Sequence, residues 1–370
     1  MKFFRSNCLK EAQELVKHHE EENIKLKEEK NHLIAIVNAL REGVVITNGH
    51  GETIFANPSF QSLFFLKESP EGKTILECIR NKTIHDLIKR TLQKKIPNEE
   101  EIKVFINLEE KYFIIHTSLI DNGCVVVFYD VTRIRKLEET RREFIANVSH
   151  ELKTPLTNIK GYAETLLGGA LNDSSVASQF VKKIEKNAVE LQNLVEDIME
   201  LSRIESGNLE MKTSIVDLSE AVKSMYDDFC DLLKTKKLTF KNLIEETFFL
   251  KVAPKALKQI LSNLLDNAVK YTPRDGIISI SAEKENNFCY VFVTDTGNGI
   301  PEKDLNRIFE RFYQVDKPSA KKLGGTGLGL AIVKHLVQAH GGMVNVKNNP
   351  SGGAQFSFTL PLANKPFSLS

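Results

Sequence analysis

Between residues 144 and 201 the apolar side chains recur with a period that paired helices satisfy and strands do not. Ile145, Leu152, Ile159 and Leu166 fall seven apart, and Val148, Pro155 and Tyr162 follow three residues after the first three. Beyond Gly168-Gly169 the scheme returns with Ile184, Leu191 and Ile198, joined by Phe180, Asn187, Leu194 and Leu201. A seven-residue repeat lines one face of a helix, so the segment 131–206 predicts a helical hairpin with an apolar stripe on each arm. One hairpin leaves such stripes partly bare. Two hairpins side by side cover them as a four-helix bundle, and a homodimer is the expected assembly. Asn187 is the polar residue on the stripe, a type that fixes register.

In FIANVSHELKTPL (144–156) one residue points away from that stripe. His150 lies midway between Val148 and Leu152 and is therefore turned to solvent, which suits a nucleophile with two successive partners but on heptads alone reads first as an ordinary surface histidine. Thr154 follows one turn later on the same face. Pro155 cannot donate to the carbonyl of Glu151, which predicts a kink or a loosened turn.

The remainder of the 370 residues suggests two or three domains in all. Residues 5–35 contain neither Gly nor Pro, and Leu9, Val16 and Asn23, with Ala12, His19, Leu26 and Leu33, form a weak heptad seam. That stretch reads as an N-terminal helix, either single or a short coiled coil. Across 36–130, two β-rich stretches, GVVITN (43–48) and ETIFAN (52–57), flank a Gly49-His50-Gly51 turn. Helical stretches such as HDLIKRTLQ come next, and then three strand candidates, EIKVFINL, KYFIIHTSLI and GCVVVFYDV. The order fits a small α+β domain with an antiparallel sheet. Residues 207–364 alternate strands and helices as a last α/β domain before a short tail, 365–370.

Composition narrows the function. Lys plus Arg is 50 against 49 acidic residues, which argues against a nucleic-acid-binding surface. Cys8, Cys78, Cys124, Cys230 and Cys289 are scattered with no C-x-x-C pair, so free thiols in a reducing compartment are expected rather than disulfides or a zinc knuckle. No run approaches the ~20 apolar residues that span a bilayer. The expected location is cytoplasmic.

Four strings in the last domain read, each alone, either as an ordinary element (a helix with a polar face, a strand-end turn, core aromatics, a glycine loop) or as a carrier of chemistry. On an apolar-periodic helix beginning near Pro254, Asn263, Asn267 and Lys270 recur at i, i+4 and i+7. Amide oxygens there suit Mg²⁺ and an ammonium suits phosphate. Asp295-Thr296-Gly297-Asn298-Gly299 follows the strand CYVFVT, where a carboxylate can accept an exocyclic amine and glycines let backbone approach a base. Phe309-Glu310-Arg311-Phe312-Tyr313 reads equally as helix and core aromatics. Gly324-Gly325-Thr326-Gly327-Leu328-Gly329 opens the helix LAIVKHLVQAH and frees N–H groups for phosphate, without the Lys-Ser/Thr of a Walker loop.

Ser149-His150-Glu151-Leu152-Lys153-Thr154-Pro155-Leu156 resembles the H box of sensor histidine kinases, and the four later strings resemble, in order, that family's N, G1, F and G2 boxes. The resemblance implies a two-layer α/β ATP-binding domain of the gyrase and histidine-kinase type. It implies His150 as phosphoacceptor with Glu151 orienting the ring or taking its proton, and Asn267 as the Mg²⁺ ligand with Asn263 nearby. Lys270 and Arg311 would meet phosphates, Tyr271 would pack on adenine, Asp295 would bind its amine, and Gly297, Gly299, Gly325, Gly327 and Gly329 would line the ATP. Residues 314–324 would form a mobile lid. Thr154 matches the family position that places a water for dephosphorylating the partner. Residues 36–130, closing on Asp130-x-Thr132, resemble a PAS sensor module, a fold that serves equally as a dimerisation module without a ligand. Taken together, the chain resembles phosphate-regulon-type sensor kinases, which usually carry transmembrane helices. This chain is then either a cytosolic variant, which its starting Met favours, or a soluble portion of a longer one. The phosphoacceptor partner would be the receiver domain of a separate response regulator. A phosphatase-dominant regulator and a nucleotide-gated, non-catalytic dimeric scaffold are the alternatives.

Overall fold

A computed structural model of the chain describes residues 2–205, 212–315, 325–350 and 352–363, with the side chains of 2–17, 19, 20 and 205 outside the description. The heptad positions Leu9, Ala12, Val16 and His19, most of the expected lid (316–324), Gly324 and the tail fall outside it. The chain divides into two compact units, Met1–Arg142 and Glu143–Ser370. No helix among the described residues is long and apolar enough to cross a membrane.

The first unit opens on α1 (Lys2–Ala39), whose described apolar residues Ile24, Leu26, Leu33 and Ile36 are exposed. Strands β1 (Gly43–Asn48) and β2 (Thr53–Ala56) form the expected hairpin. Asn48 closes its turn by accepting from the amides of His50 and Glu52, and Gly51 takes φ +83. Three short helices follow, α2 (Pro58–Leu63), α3 (Ile75–Ile79) and α4 (Lys82–Lys94). Then come β3 (Asn98–Ile106), β4 (Glu109–Ile120) and β5 (Gly123–Asp130). The antiparallel sheet runs β2-β1-β5-β4-β3, so the last strand inserts beside the first. Only glycine permits that entry: a Cβ on Gly123 would sit 1.7 Å from the carbonyl oxygen of Thr47. One face of the sheet buries Ile102, Val104 and Ile106 with Ile84, Leu87 and Ile88 of α4 and a cluster of Phe60, Phe64, Phe113 and Phe128. Asp130 accepts from the amide of Thr132, whose hydroxyl accepts from the amide of Tyr112. These bonds fix the start of α5 (Thr132–Leu167) against β4 and the end of β5.

In the second unit α5 continues through Pro155, which is buried. After the Gly168-Gly169 break, α6 (Ser174–Glu205) completes the hairpin. Asn158 donates across it to Asn187, which is buried on the stripe. The α/β part contains β6 (Ser214–Asp217), α7 (Leu218–Lys236), β7 (Thr239–Asn242), β8 (Phe249–Val252) and α8 (Pro254–Tyr271). It continues with β9 (Ile277–Glu285), β10 (Phe288–Asp295), α9 (Gly329–Ala339), β11 (Val344–Asn348) and β12 (Ala354–Pro361). Its main sheet runs β11-β12-β10-β9-β7, parallel only between β7 and β9, while β6 pairs with β8. The sheet's inner face and helices α7, α8 and α9 share one core, the two-layer α/β arrangement expected.

A single buried amide ties the first unit together. Asn57, fully buried, accepts from the amides of Val44 and Phe60 and donates to the carbonyls of Val37 and Glu42. It joins the end of α1 to β1 and α2 with every bond an amide can make in use. Asn57→Ala is expected to cost about 2–4 kcal/mol, because buried backbone groups lose their partners. Amide hydrogen exchange across β1 and β5 checks this; protection equal to the parent chain would leave Asn57 dispensable.

Candidate functional site

Strand β10 turns Cys289, Val291 and Val293 into the core, and the next inward position is Asp295. The alternation that builds the core thus also delivers a carboxylate to the strand's end on the helix-facing side. Asp295 is 5% exposed, and its Oδ1 accepts from the amides of Gly297 at 2.8 Å and Ala354 at 3.3 Å. Burial pushes its carboxyl above the usual range, and the two N–H groups pull it partly back. The backbone around it leaves no room for side chains. A Cβ on Gly297 would lie 2.6 Å from the Tyr271 carbonyl oxygen, and one on Gly353 would lie 2.0 Å from the Asp295 carbonyl oxygen. Gly299 has φ +69, and Asn348 clamps the next residue, accepting from the Ile300 amide and donating to its carbonyl. Asn348 escapes sequence reasoning because it lies 48 residues downstream of Ile300.

Helix α8 buries Ala256, Leu257, Ile260, Leu261, Leu264, Leu265, Ala268 and Val269. Asn263, Asn267 and Lys270 are left half-buried along its edge. Asn263 donates to the Gly329 carbonyl at 3.2 Å, which joins this edge to the start of α9. The Lys270 ammonium lies 2.7 Å from Asp266, and Tyr271 ends the helix half exposed.

The glycine-rich segment approaches from the other side. Gly327 has φ +73, and a Cβ there would meet Phe312 Cα at 2.8 Å. The Phe312 amide donates to the Gly327 carbonyl, and Gln314 donates to that of Gly325. The Thr326 hydroxyl accepts from the Leu328 amide and donates to Asp197 of α6 at 3.0 Å. Residues 309–313 form turns rather than the helix that was one sequence reading. Phe309 packs on Phe356, the Tyr313 hydroxyl donates to Asp304, and the Arg311 guanidinium lies over the ring of Phe144 at 5.4 Å. Phe144, at the near end of the hairpin, also packs on Phe312.

On α5 the His150 side chain is 71% exposed, with Nδ1 3.6 Å from a Glu151 carboxylate oxygen. Thr154, half-buried, donates its hydroxyl to the His150 carbonyl at 3.2 Å. Sequence-selected residues thus gather in groups: the α8 edge meets the glycine-rich segment through Asn263; Asp295, Gly297 and Gly299 lie at the end of β10, with Gly297 beside the Tyr271 carbonyl; and His150, Glu151 and Thr154 share one stretch of α5. Asp197, which reasoning from sequence missed, links α6 to the first group.

A carboxylate under a glycine turn, an amide-lined helix edge and a glycine-rich helix start are the parts of a nucleotide-binding α/β domain. Residues 252–364 match the histidine kinase-, DNA gyrase B- and HSP90-like ATPase family, and residues 140–207 match the His Kinase A (phospho-acceptor) domain. The sensor histidine kinase WalK of Bacillus subtilis is 33% identical over 90% of this chain, which spans 56% of that protein. A sensor protein kinase WalK of Staphylococcus aureus is 30% identical over 90% of the chain, covering 81% of it. The chain belongs to the sensor histidine kinase family, and it spans little more than half the length of most such relatives. The solved histidine kinase ThkA in complex with response regulator protein TrrA shares the fold, at TM-score 0.50 and 24% identity over 89% of this chain and 98% of that one.

Asn348→Ala should loosen the 297–301 turn while sparing the core, since Asn348 is exposed. Losing its bonds costs about 1 kcal/mol, which raises the Ile300 amide exchange rate roughly fivefold. An unchanged rate would assign the turn's order to its glycines alone.

Proposed function

We propose that this chain is an ATP-dependent histidine kinase of a two-component system, which phosphorylates His150 and passes the group to an aspartate of a separate response regulator. The observation that carries the proposal is an exposed imidazole beside Glu151, on a helix in the same unit as a glycine-walled, buried Asp295. The relatives' names and the partner in the ThkA complex point the same way.

The residues present fit the nucleotide. Asp295 is desolvated and walled by backbone, as a base-reading carboxylate must be, and adenine supplies the amine it accepts. Tyr271 packs on the base, Gly297 and Gly299 let backbone approach it, and Gly325, Gly327 and Gly329 offer amides to phosphate. Lys270 and Arg311 carry charge to the phosphates. Asn267, with Asn263 nearby, holds Mg²⁺, which neutralises developing charge when bound.

Neutral imidazole is a nucleophile near pH 7. With Nδ1 toward Glu151, Nε2 is the outward nitrogen. Its lone pair forms the N–P bond as the β–γ bridging P–O bond breaks and ADP leaves, and Glu151 takes the ring proton. The P–N bond then breaks as a receiver carboxylate forms the new P–O bond, and His150 is regenerated.

Assembly as a homodimer has support in apolar side chains left open on the hairpin: Ile145, Leu156, Val181 and Met199 are each at least half exposed. The domain division is an N-terminal helix (1–35), a PAS-type sensor domain (36–130), the dimerisation and phosphotransfer hairpin (131–206) and the ATP-binding domain (207–364). The strand order β2-β1-β5-β4-β3 and the Asp130–Thr132 junction support the PAS reading. The kinase domains work in the cytoplasm, where ATP and receiver domains are found.

His150→Gln should abolish acid-labile labelling from γ-labelled ATP while nucleotide binding persists, and Asn267→Ala should abolish labelling through weakened Mg²⁺–ATP engagement. Labelling that survives in the His150 variant would remove the nucleophile from its role.

Phosphatase activity toward the partner is a second reading, because Thr154 lies one turn from His150 and its hydroxyl can both donate and accept. Thr154→Ala should retain autophosphorylation and forward transfer yet slow partner dephosphorylation at least about tenfold, about 1.4 kcal/mol of barrier. Decay of purified phospho-partner with kinase, ADP and Mg²⁺ measures it. Equal decay returns Thr154 to a role in the helix.

A further inference from the structure

The glycine-rich segment is held by four residues from different parts of the second unit. Gln314 binds the carbonyl of Gly325, Phe312 that of Gly327 and Asn263 that of Gly329. Those three belong to the nucleotide domain itself. The fourth is Asp197 on the hairpin helix α6, whose Oδ2 accepts from the Thr326 hydroxyl at 3.0 Å across 129 residues of sequence. The contact is not an isolated touch, because Leu194 and Leu201 of the same helix are buried in the nucleotide domain's core.

The charge of Asp197 is what makes the contact consequential. Burial pushes its carboxyl above the usual range, while the Thr326 hydroxyl and the Lys270 ammonium pull it back; Glu196 and Asp266 push the other way. A carboxylate at this position bonds the loop through Thr326 and feels the charge of Lys270. Incoming phosphates carry the same sign of charge and seek the same loop and the same ammonium. In a half-buried setting like charges repel far more than they do in water. The two anions compete.

We propose that Asp197 is a positioning residue that latches the glycine-rich loop to α6 through Thr326, and that a nucleoside triphosphate must displace this latch to be held fully. This rests on the reading of the same loop as a nucleotide site. Loading then loosens the domain from the hairpin, and by reciprocity the docked domain holds nucleotide less tightly. Docking and loading are opposed states of one loop, and Asp197 sets the balance without touching the reacting atoms.

The test is binding of a non-hydrolysable ATP analogue with Mg²⁺ to the full chain by calorimetry, in the parent, Asp197→Ala, Asp197→Asn and Thr326→Ser. The Asn variant keeps size and an acceptor but removes charge, so it reads the latch even where alanine disturbs the fold. Both Asp197 variants should bind the analogue roughly fivefold more tightly, the lower end of common coupling strengths; Thr326→Ser, which keeps the hydroxyl, should match the parent. A merely structural role predicts loss of affinity, never gain. In parallel, analogue should raise amide exchange around residue 197 in the parent, whereas Asp197→Ala should show the raised exchange without nucleotide. Equal or weaker binding by both Asp197 variants overturns the latch and leaves the nucleotide site standing. Failure of the parent chain to bind the analogue overturns both.

Discussion

The burial of one face of α8 is the constraint on which the second unit's site depends. Its eight buried side chains include four leucines, one isoleucine and one valine, and full burial of each such side chain is worth about 1.5–3 kcal/mol. The exposed-edge ion pair between Lys270 and Asp266 contributes at most about 1 kcal/mol. Packing therefore decides the helix's rotation, and the polar residues take the direction that remains. Asn263, Asn267 and Lys270 line one edge because their apolar neighbours have no alternative but the sheet. The same logic runs through β10, where the alternation that buries Val291 and Val293 leaves Asp295 facing inward.

Three carboxylates stand near the α8 edge and the end of β10, and their surroundings set them apart. Asp295 is desolvated, and its described bonds go to backbone N–H groups. Asp266 is paired with Lys270 on the α8 edge. Asp197 lies between Thr326 and the influence of Lys270. Burial raises both Asp197 and Asp295, for one physical reason but with different consequences. At Asp295 it sharpens a hydrogen-bond acceptor within a wall of glycines. At Asp197 it favours holding the Thr326 hydroxyl over facing water.

What the sequence made legible was local. The helix carrying His150, the strand ending at Asp295, the edge of α8 and the helix start at Gly329 each depend on spacings of a few residues, and each stands where periodicity predicts. The residues it concealed act across long separations. Asn57 reaches back to Val37, Asn348 reaches Ile300, and Asp197 reaches Thr326. Each is a common polar type in an unremarkable local string, so no window of sequence distinguishes it. Strand order was hidden for the same reason: β5 enters beside β1 because Gly123 lets backbone approach Thr47, a pairing about 75 residues long that no hairpin signal announces. The helix runs through Pro155, whose ring is buried, so packing keeps the span in spite of the hydrogen bond that the proline cannot donate.

The heptad stripes deserve a physical distinction that the repeat alone does not make. Within one chain, Leu166, Leu194 and Leu201 are buried, yet Ile145 sits on the same repeat as Leu166 and stays 53% exposed. Ile145, Leu156 and Leu167 lie eleven residues apart, and eleven residues turn a helix through three rounds plus about 20°, so all three share one open line. On α6, Val181 and Met199 lie eighteen apart, five full turns, and are open too. The apolar surface thus splits by place: an inner line closes the hairpin and seats the nucleotide domain through Leu194 and Leu201, and an outer line is open among the described residues. A seven-residue repeat reports only that a helix is apolar on one side. Which part of that side meets its own chain follows from where Phe144 and Asp197 hold the nucleotide domain, and the outer line is the surface that the docked domain leaves open.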